Sequence, residues 1–294
     1  MIYTVMVIDF WKVTDMKFDL REKAKENTII IAHRGVAGGN IPCNTLAAYE
    51  IALKQGADMI EVDMSCSADG KLFLFHPMME LSHLNKPLLL SALPYNFIKK
   101  LHYVNFDRAQ TQFTIADFDD FLEQFKGRCY INIDKFWSNP EKIYKAIKRH
   151  GMTDQMLVKS KLSKDGKVFD VLENIAPEIA FMPIVNDTYN RHEELKKRNI
   201  NYVGVECCFK KDSAEVASEE FIEKMHRDDI LVWANSIVFS HKVQLAGGHS
   251  DDTALTESED KGWGWLADRG FDMIQTDWPG MLIDYLKKTD RYYK

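Results

Sequence analysis

The sequence predicts an α/β fold: a closed (β/α)8 TIM barrel, with a β-hairpin and a small insertion after the second barrel strand. Three observations carry this prediction. Eight short apolar runs recur along the 294 residues, and continuous apolar runs suit strands buried on both faces, as in a parallel sheet. Amphipathic segments that read as helices lie between the runs, and strand alternating with helix is the α/β pattern. Units of this kind, repeated from Ile29 to Asp277, match the roughly 250 residues of such a barrel.

The runs, in order, are Ile29–Ala32, Met59–Met64, Tyr130–Asp134, Met156–Lys159, Ala180–Val185, Tyr202–Glu206, Ile230–Asn235 and Met273–Asp277. Between the first two, 44–55 reads as a helix with Asn44 or Thr45 as its cap and Gly56 just past its end. Pro140–His150 has proline at its start, basic residues at its end and Gly151 beyond, the polarity expected of a helix. Lys167–Asn174, 189–198, Glu219–Arg227 and 264–269 take the same role. One apolar run breaks the rhythm. Leu72–His76 follows Met59–Ser65 after the short turn Ala68-Asp69-Gly70, too short for a parallel crossover. It is therefore read as a hairpin arm beside the barrel. Residues 78–128 form an insertion before the third strand, 1–27 a lead-in, and 28–294 a single barrel domain.

Hydrophobic residues make up 46% and charged residues 28% of the chain, as in soluble globular proteins. The length suffices for a core without disulfide or metal staples. Lys+Arg number 38 against Asp+Glu 44, a net charge of −6, so the basic footprint of a nucleic-acid binder is missing. The five cysteines (Cys43, Cys66, Cys129, Cys207 and Cys208) are odd in number and lack metal-site spacing, so they are read as reduced thiols. Met1–Val13 is apolar but carries Asp9, with no basic lead and no small-residue cleavage site. No run approaches the ~20 apolar residues of a membrane span. These features predict a cytoplasmic protein without stable membrane insertion.

In a (β/α)8 barrel, chemistry sits where the strands end. The first strand ends in His33-Arg34-Gly35. Histidine moves protons near neutral pH, and the arginine fork suits phosphate oxygens. On the second strand, Glu61 and Asp63 share one face. Two carboxylates at one spot need neutralising, either by basic side chains from other strands or by a divalent cation, which oxygen ligands would make Mg²⁺ or Ca²⁺. The hairpin arm ends in His76, a second histidine brought over the strand ends. Asp134 on the third strand is either a further cation ligand or a helix cap. Lys159 could neutralise an anionic ligand, Glu206 could contact a ligand or form an ion pair, and Trp233 could wall the pocket. Asp277 reads most simply as a cap before Pro279. His83, His102, His150, His192 and His226 carry no pattern and read as surface residues. The acids of 244–262, near the mouth, are either a solvated loop or a lid favouring a cationic headgroup.

Taken in order, the stretches IIAHRG, PCNTLAAYEIALKQGADMIEVDMSCSADGKLFLFH, LVWAN and RGFDMIQTDWP resemble the glycerophosphodiester phosphodiesterase family, and they span residues 29 to 280. The resemblance implies a TIM barrel related to phosphatidylinositol phospholipase C. It implies hydrolysis of a small-molecule glycerophosphodiester to glycerol 3-phosphate and an alcohol. It further implies two acid–base histidines, His33 and His76, a divalent cation on Glu61, Asp63 and Asp134, and a phosphate-binding Arg34. Three positions depart from the family pattern. Cys43 replaces a glutamate, Pro77 replaces an aspartate after the second histidine, and Asp134-Lys135 replaces Glu-x-Lys. These departures leave two other readings open: a phosphodiesterase acting on a phospholipid headgroup, and a binding protein that has lost catalysis. Oligomeric state is not encoded in any of these features.

Overall fold

A computed structural model describes residues 18–162 and 167–294. The apolar stretch Met1–Val13 and the first part of the lead-in 1–27 lie outside the described residues. Barrel strands are numbered here in chain order: β1 Ile29–Ala32, β2 Met59–Cys66, β3 Tyr130–Asp134, β4 Met156–Lys161, β5 Ala180–Asn186, β6 Gly204–Cys208, β7 Leu231–Asn235 and β8 Met273–Thr276. Each pairs in parallel with its neighbours, and β1 pairs with both β8 and β2, which closes the ring. The predicted fold class is therefore the one observed. The sixth run differs in detail. Asn201–Tyr202 pairs with β5 by itself, and the barrel strand proper starts at Gly204. A Cβ at Gly204 would stand 2.5 Å from the Met182 methyl and 2.7 Å from the Leu231 carbonyl oxygen, so only glycine fits there.

Strand alternation sorts the apolar residues into two layers. Ile30, Ala32, Ile60, Val62, Ile131, Ile133, Val158 and Val232 face outward into the core shared with the helices. Ile29, Ile31, Met59, Tyr130, Leu157, Met182, Leu231, Trp233 and Met273 face inward and fill the barrel. The helix Leu20–Glu26, capped by the Asp19 carboxylate, adds Leu20 and Ala24 to this inner cluster. Its Arg21 donates to the carbonyls of Asp229 and Tyr202, which seats the helix under the N-terminal ends of the strands.

The helices follow the sequence signals. Leu46–Lys54 is capped by the Thr45 hydroxyl, while Asn44 serves elsewhere. Pro140–His150 ends at Gly151 with φ 65°. The expected helix at 189–198 is reduced to the single turn His192–Leu195, and His192, read as a surface residue, is buried between Tyr202 and Asp228. The hairpin arm is the antiparallel strand Leu72–Leu74 paired on the end of β2. Beyond it, Glu80–Leu84, Tyr95–Ile98 and the strand pair His102–Val104 with Gln110–Thr114 pack on their own small core of Phe73, Phe75, Leu84, Ile98 and Tyr103. The helix Phe118–Phe125 then leads back into β3 and packs in the main core. No helix of the described residues is long and apolar enough to cross a membrane.

Candidate active site

A pocket of about 390 Å³ opens at the C-terminal ends of the strands. His33, Arg34, Glu61, His76, Asp134, Lys159 and Glu206 all line it, together with Lys135, Asn235 and Gln275.

The β1 end is built by two consecutive left-handed residues, Arg34 (φ 57°) and Gly35 (φ 77°). A side chain at Gly35 would meet the Ala48 backbone at 2.6 Å, so glycine is required for this turn. The turn aims the Arg34 N–H at Glu61 Oε2, 2.9 Å away, and sets the Arg34 Nε 2.8 Å from Asp63 Oδ2. The Arg34 Nη nitrogens make no hydrogen bond with the described residues and stay available to an anion.

His33 Nδ1 lies 2.8 Å from Asp277 Oδ1, which leaves Nε2 as the nitrogen free to meet a ligand. Burial lowers the proton affinity of His33, but the Asp277 hydrogen bond and the charges of Glu61 and Asp277 outweigh it, and the net shift is upward. His76 differs. Its Nδ1 lies 2.8 Å from the Pro77 carbonyl oxygen, so Nδ1 must carry the proton and Nε2 the lone pair. Burial, with Arg34 and Lys135 nearby, pushes its pKa down.

Register brings the carboxylates together, since Glu61 pairs with Asn132 and Asp63 with Asp134 across β2 and β3. Ligand oxygens of Glu61, Asp63 and Asp134 lie within 4.8 Å of one another. Burial first, and then the Asp63 charge, push Glu61 up to about 7. Asp63 is fully buried. Its Oδ2 accepts from Asn44 Nδ2 at 2.9 Å, while its Oδ1 accepts no hydrogen bond. The Lys135 ammonium stands 3.7 Å from that oxygen and pairs with Asp134. An orphaned carboxylate oxygen inside an all-oxygen cluster fits a hard divalent cation.

Lys159 is buried and paired with Glu206 at 2.8 Å, and it lies 4.0 Å from the centre of the Trp233 ring. Glu206 also accepts from Asn235 Nδ2 at 2.7 Å. Glu206 therefore forms the expected ion pair and also borders the pocket. Trp233 requires a correction. It is fully buried in the inner layer and does not line the pocket, and its indole N–H donates to Asn235. It supports the floor and walls nothing.

Three residues matter here in ways that sequence reasoning missed. Asn44, read as a cap, ties the Asp63 side chain and backbone to the Tyr49 hydroxyl. Asp277, read as a cap, orients His33. Asp251, read as part of an acidic loop, is buried. It accepts from the Ser236 and Thr276 hydroxyls, the Trp263 indole and the Asp277 N–H, and so fixes the backbone that carries Asp277. The lid reading of 244–262 fails with it. None of Asp251, Asp252, Glu257, Glu259 and Asp260 borders the pocket, and that stretch contributes only Leu245, beside Phe239 of the strand Val238–Ser240. The invariable signal in all three cases is a polar residue within reach of a strand end, which sequence spacing alone does not distinguish from a cap.

Comparison with known proteins bears on the fold and on the sequence resemblance. A family described as a domain of unknown function matches residues 181–286. A glycerophosphodiester phosphodiesterase of Caldanaerobacter subterraneus subsp. tengcongensis is 29% identical over 143 residues, 45% of this chain and 58% of that protein. The chain thus matches a little over half the length of that relative. Among solved structures, a glycerophosphoryl diester phosphodiesterase of Parabacteroides distasonis superposes with a TM-score of 0.75 at 18% identity, over 90% of this chain and 88% of the other. An Oleispira antarctica phosphodiesterase in complex with the product sn-glycerol-3-phosphate gives 0.61 at 19% identity, over 88% and 96%. The chain therefore resembles the glycerophosphodiester phosphodiesterases in sequence and shares the barrel fold of their solved structures.

Proposed function

We propose that the protein hydrolyses glycerophosphodiesters to glycerol 3-phosphate and an alcohol, using two histidines and a divalent cation. The observation that supports this most is the grouping of His33 and His76 with the Glu61–Asp63–Asp134 cluster at one strand-end site, beside the Nη groups of Arg34. Glu61, Asp63 and Asp134 would hold Mg²⁺ or Ca²⁺. Such an ion acts as a Lewis acid on a phosphoryl oxygen. The barrel domain carrying this site runs over 28–294.

Arg34 binds the phosphate through its Nη groups, and its charge offsets the charge that grows on the phosphoryl oxygens. Lys159, held straight by Glu206 and Trp233, adds a second cation at the pocket floor. His33 Nε2 takes the proton of the attacking hydroxyl, and Asp277 stabilises the imidazolium that forms, as a carboxylate behind a catalytic histidine does. His76 acts in its imidazolium form. It gives its Nε2 proton to the leaving alkoxide and is left as the neutral Nδ1–H tautomer that the Pro77 carbonyl holds. The proton taken up by His33 returns to solvent or to His76 at the end of the turnover. The attacking oxygen comes either from water directly or from the neighbouring glycerol hydroxyl. In the second case a cyclic phosphate forms, the P–O bond to the alcohol breaks, and water then opens the ring.

His33→Ala and His76→Ala should each lower turnover of glycerophosphoethanolamine by at least about 10²-fold, read as glycerol 3-phosphate released, with the thermal midpoint kept. Parental rates in both variants would refute the assignment.

A further inference from the structure

A second feature lies outside this pocket, on the small subdomain that follows His76. Residues 78–114 carry four Lys and Arg against two acids, in a chain whose net charge is −6. Three of these cations, Lys86, Lys100 and Arg108, line one open groove of about 490 Å³, together with Phe97 and His102. Among the described residues, no Asp or Glu lines the groove. All three cations are exposed, and none of the three forms an ion pair with the described residues. In the barrel pocket, by comparison, Arg34, Lys135 and Lys159 are each paired with a carboxylate. Large apolar side chains of the same subdomain are also in the open: Phe97, in the groove itself, is 48% exposed, and Leu89 is 59%, Leu81 65% and Phe106, on the neighbouring cleft, 99% exposed.

The position is as informative as the composition. Arg108 and Val104 also border a neighbouring cleft that reaches Gly38, Gly39 and Cys43 on the loop after β1. Asn40 on that loop is hydrogen bonded to Gln112 and Asn105 of the subdomain. The patch therefore stands at the catalytic end of the barrel, beside the loop that carries Arg34.

We propose that this face docks the protein on an anionic phospholipid surface. Three unmatched cations in one groove complement a layer of phosphate headgroups, and the exposed Phe97 among them, with Phe106 on the adjoining cleft, suits the headgroup boundary. A single soluble anion would call for enclosed donors, and these cations are all open. Docking here holds the pocket mouth near the bilayer without any membrane-spanning segment. The inference does not depend on the reaction assigned above.

Vesicle cosedimentation of the whole protein tests it, with phosphatidylcholine vesicles and with 7:3 phosphatidylcholine–phosphatidylglycerol vesicles. Each basic residue near an anionic leaflet strengthens binding roughly fivefold, so the triple variant Lys86→Gln, Lys100→Gln, Arg108→Gln should lose at least tenfold in partitioning on anionic vesicles. Phe106→Ser should weaken binding on the same vesicles, and raised salt should release the parent. An unchanged thermal midpoint in each variant separates these losses from unfolding. Equal binding to both vesicle types, no binding to either, or a triple variant that binds like the parent would overturn the proposal. So would a groove that takes inorganic pyrophosphate while the protein ignores vesicles, because that result marks a soluble-anion site.

Discussion

The lower and upper halves of the barrel interior are built on the same strands and the same inward-facing positions, yet they have opposite chemistry. Below, Ile29, Ile31, Met59, Tyr130, Leu157 and Trp233 fill the space with carbon. Two or four residues further along the inward-facing rows stand Glu61, Asp63, Asn132, Asp134, Lys159 and Asn235, with Glu206 two beyond Gly204 on β6, most of them buried. The lower half stabilises the fold by removing apolar area from water. The upper half costs stability, since buried charges are expensive even when paired. What the upper half gains is a preorganised polar cavity, and the lower half provides the rigid base that holds its side chains in place.

The comparison is broken most severely by removing a proton carrier from the upper half, where the alanine variants of His33 and His76 should lose turnover and keep their stability. Trp233→Ala should do the reverse. It removes a fully buried indole from the lower half and should cost about 3–5 kcal/mol in denaturant unfolding, with cation affinity measured by calorimetry retained in the folded fraction. If Trp233→Ala left stability untouched, the division between the halves would be wrong.

A smaller effect sharpens the account. Asp277 raises the proton affinity of His33, so Asp277→Asn should lower that pKa and move one limb of the rate profile to lower pH. The limb that moves is the one His33 sets, and an unmoved profile removes Asp277 from the mechanism.

The smallest effect is on stability against pH. The carboxyl of Glu61 is held at about 7, above the roughly 4.3 of an unfolded glutamate. Between those values the folded chain binds more protons than the unfolded one, so cation-free stability should fall as pH rises through that window. Glu61→Gln should flatten that part of the curve in chemical denaturation. An unchanged slope would show that Glu61 is not held protonated.

Much of this was legible in the sequence. Strands buried on both faces announce themselves as apolar runs, and all eight were found where the runs stand. His33, Arg34, His76 and Asp134 were also legible as pocket residues, because they follow or end strands or the hairpin arm, and Glu61 because it shares a strand face with Asp63. Trp233 was misread for a geometric reason. How high a side chain sits in a barrel depends on the stagger between strands, and sequence carries no stagger. Asn235, one inward step above Trp233, borders the pocket instead. Asn44, Asp251 and Asp277 were misread because their partners are distant in sequence, as in the bond from Asp277 to His33 across the closure of the barrel. The cationic groove was hidden because Lys86, Lys100 and Arg108 are spaced without period and converge only when the subdomain folds.

The measurement that bears most directly on the central claim is hydrolysis of glycerophosphoethanolamine by exhaustively chelated protein, with and without added Mg²⁺ or Ca²⁺, for the parent and for Asp134→Asn. The account predicts no turnover after chelation, recovery in the parent on adding one of the two ions, and a much weaker response to the ion in the variant. Full activity after chelation, or a variant that responds to the ion as the parent does, would contradict it.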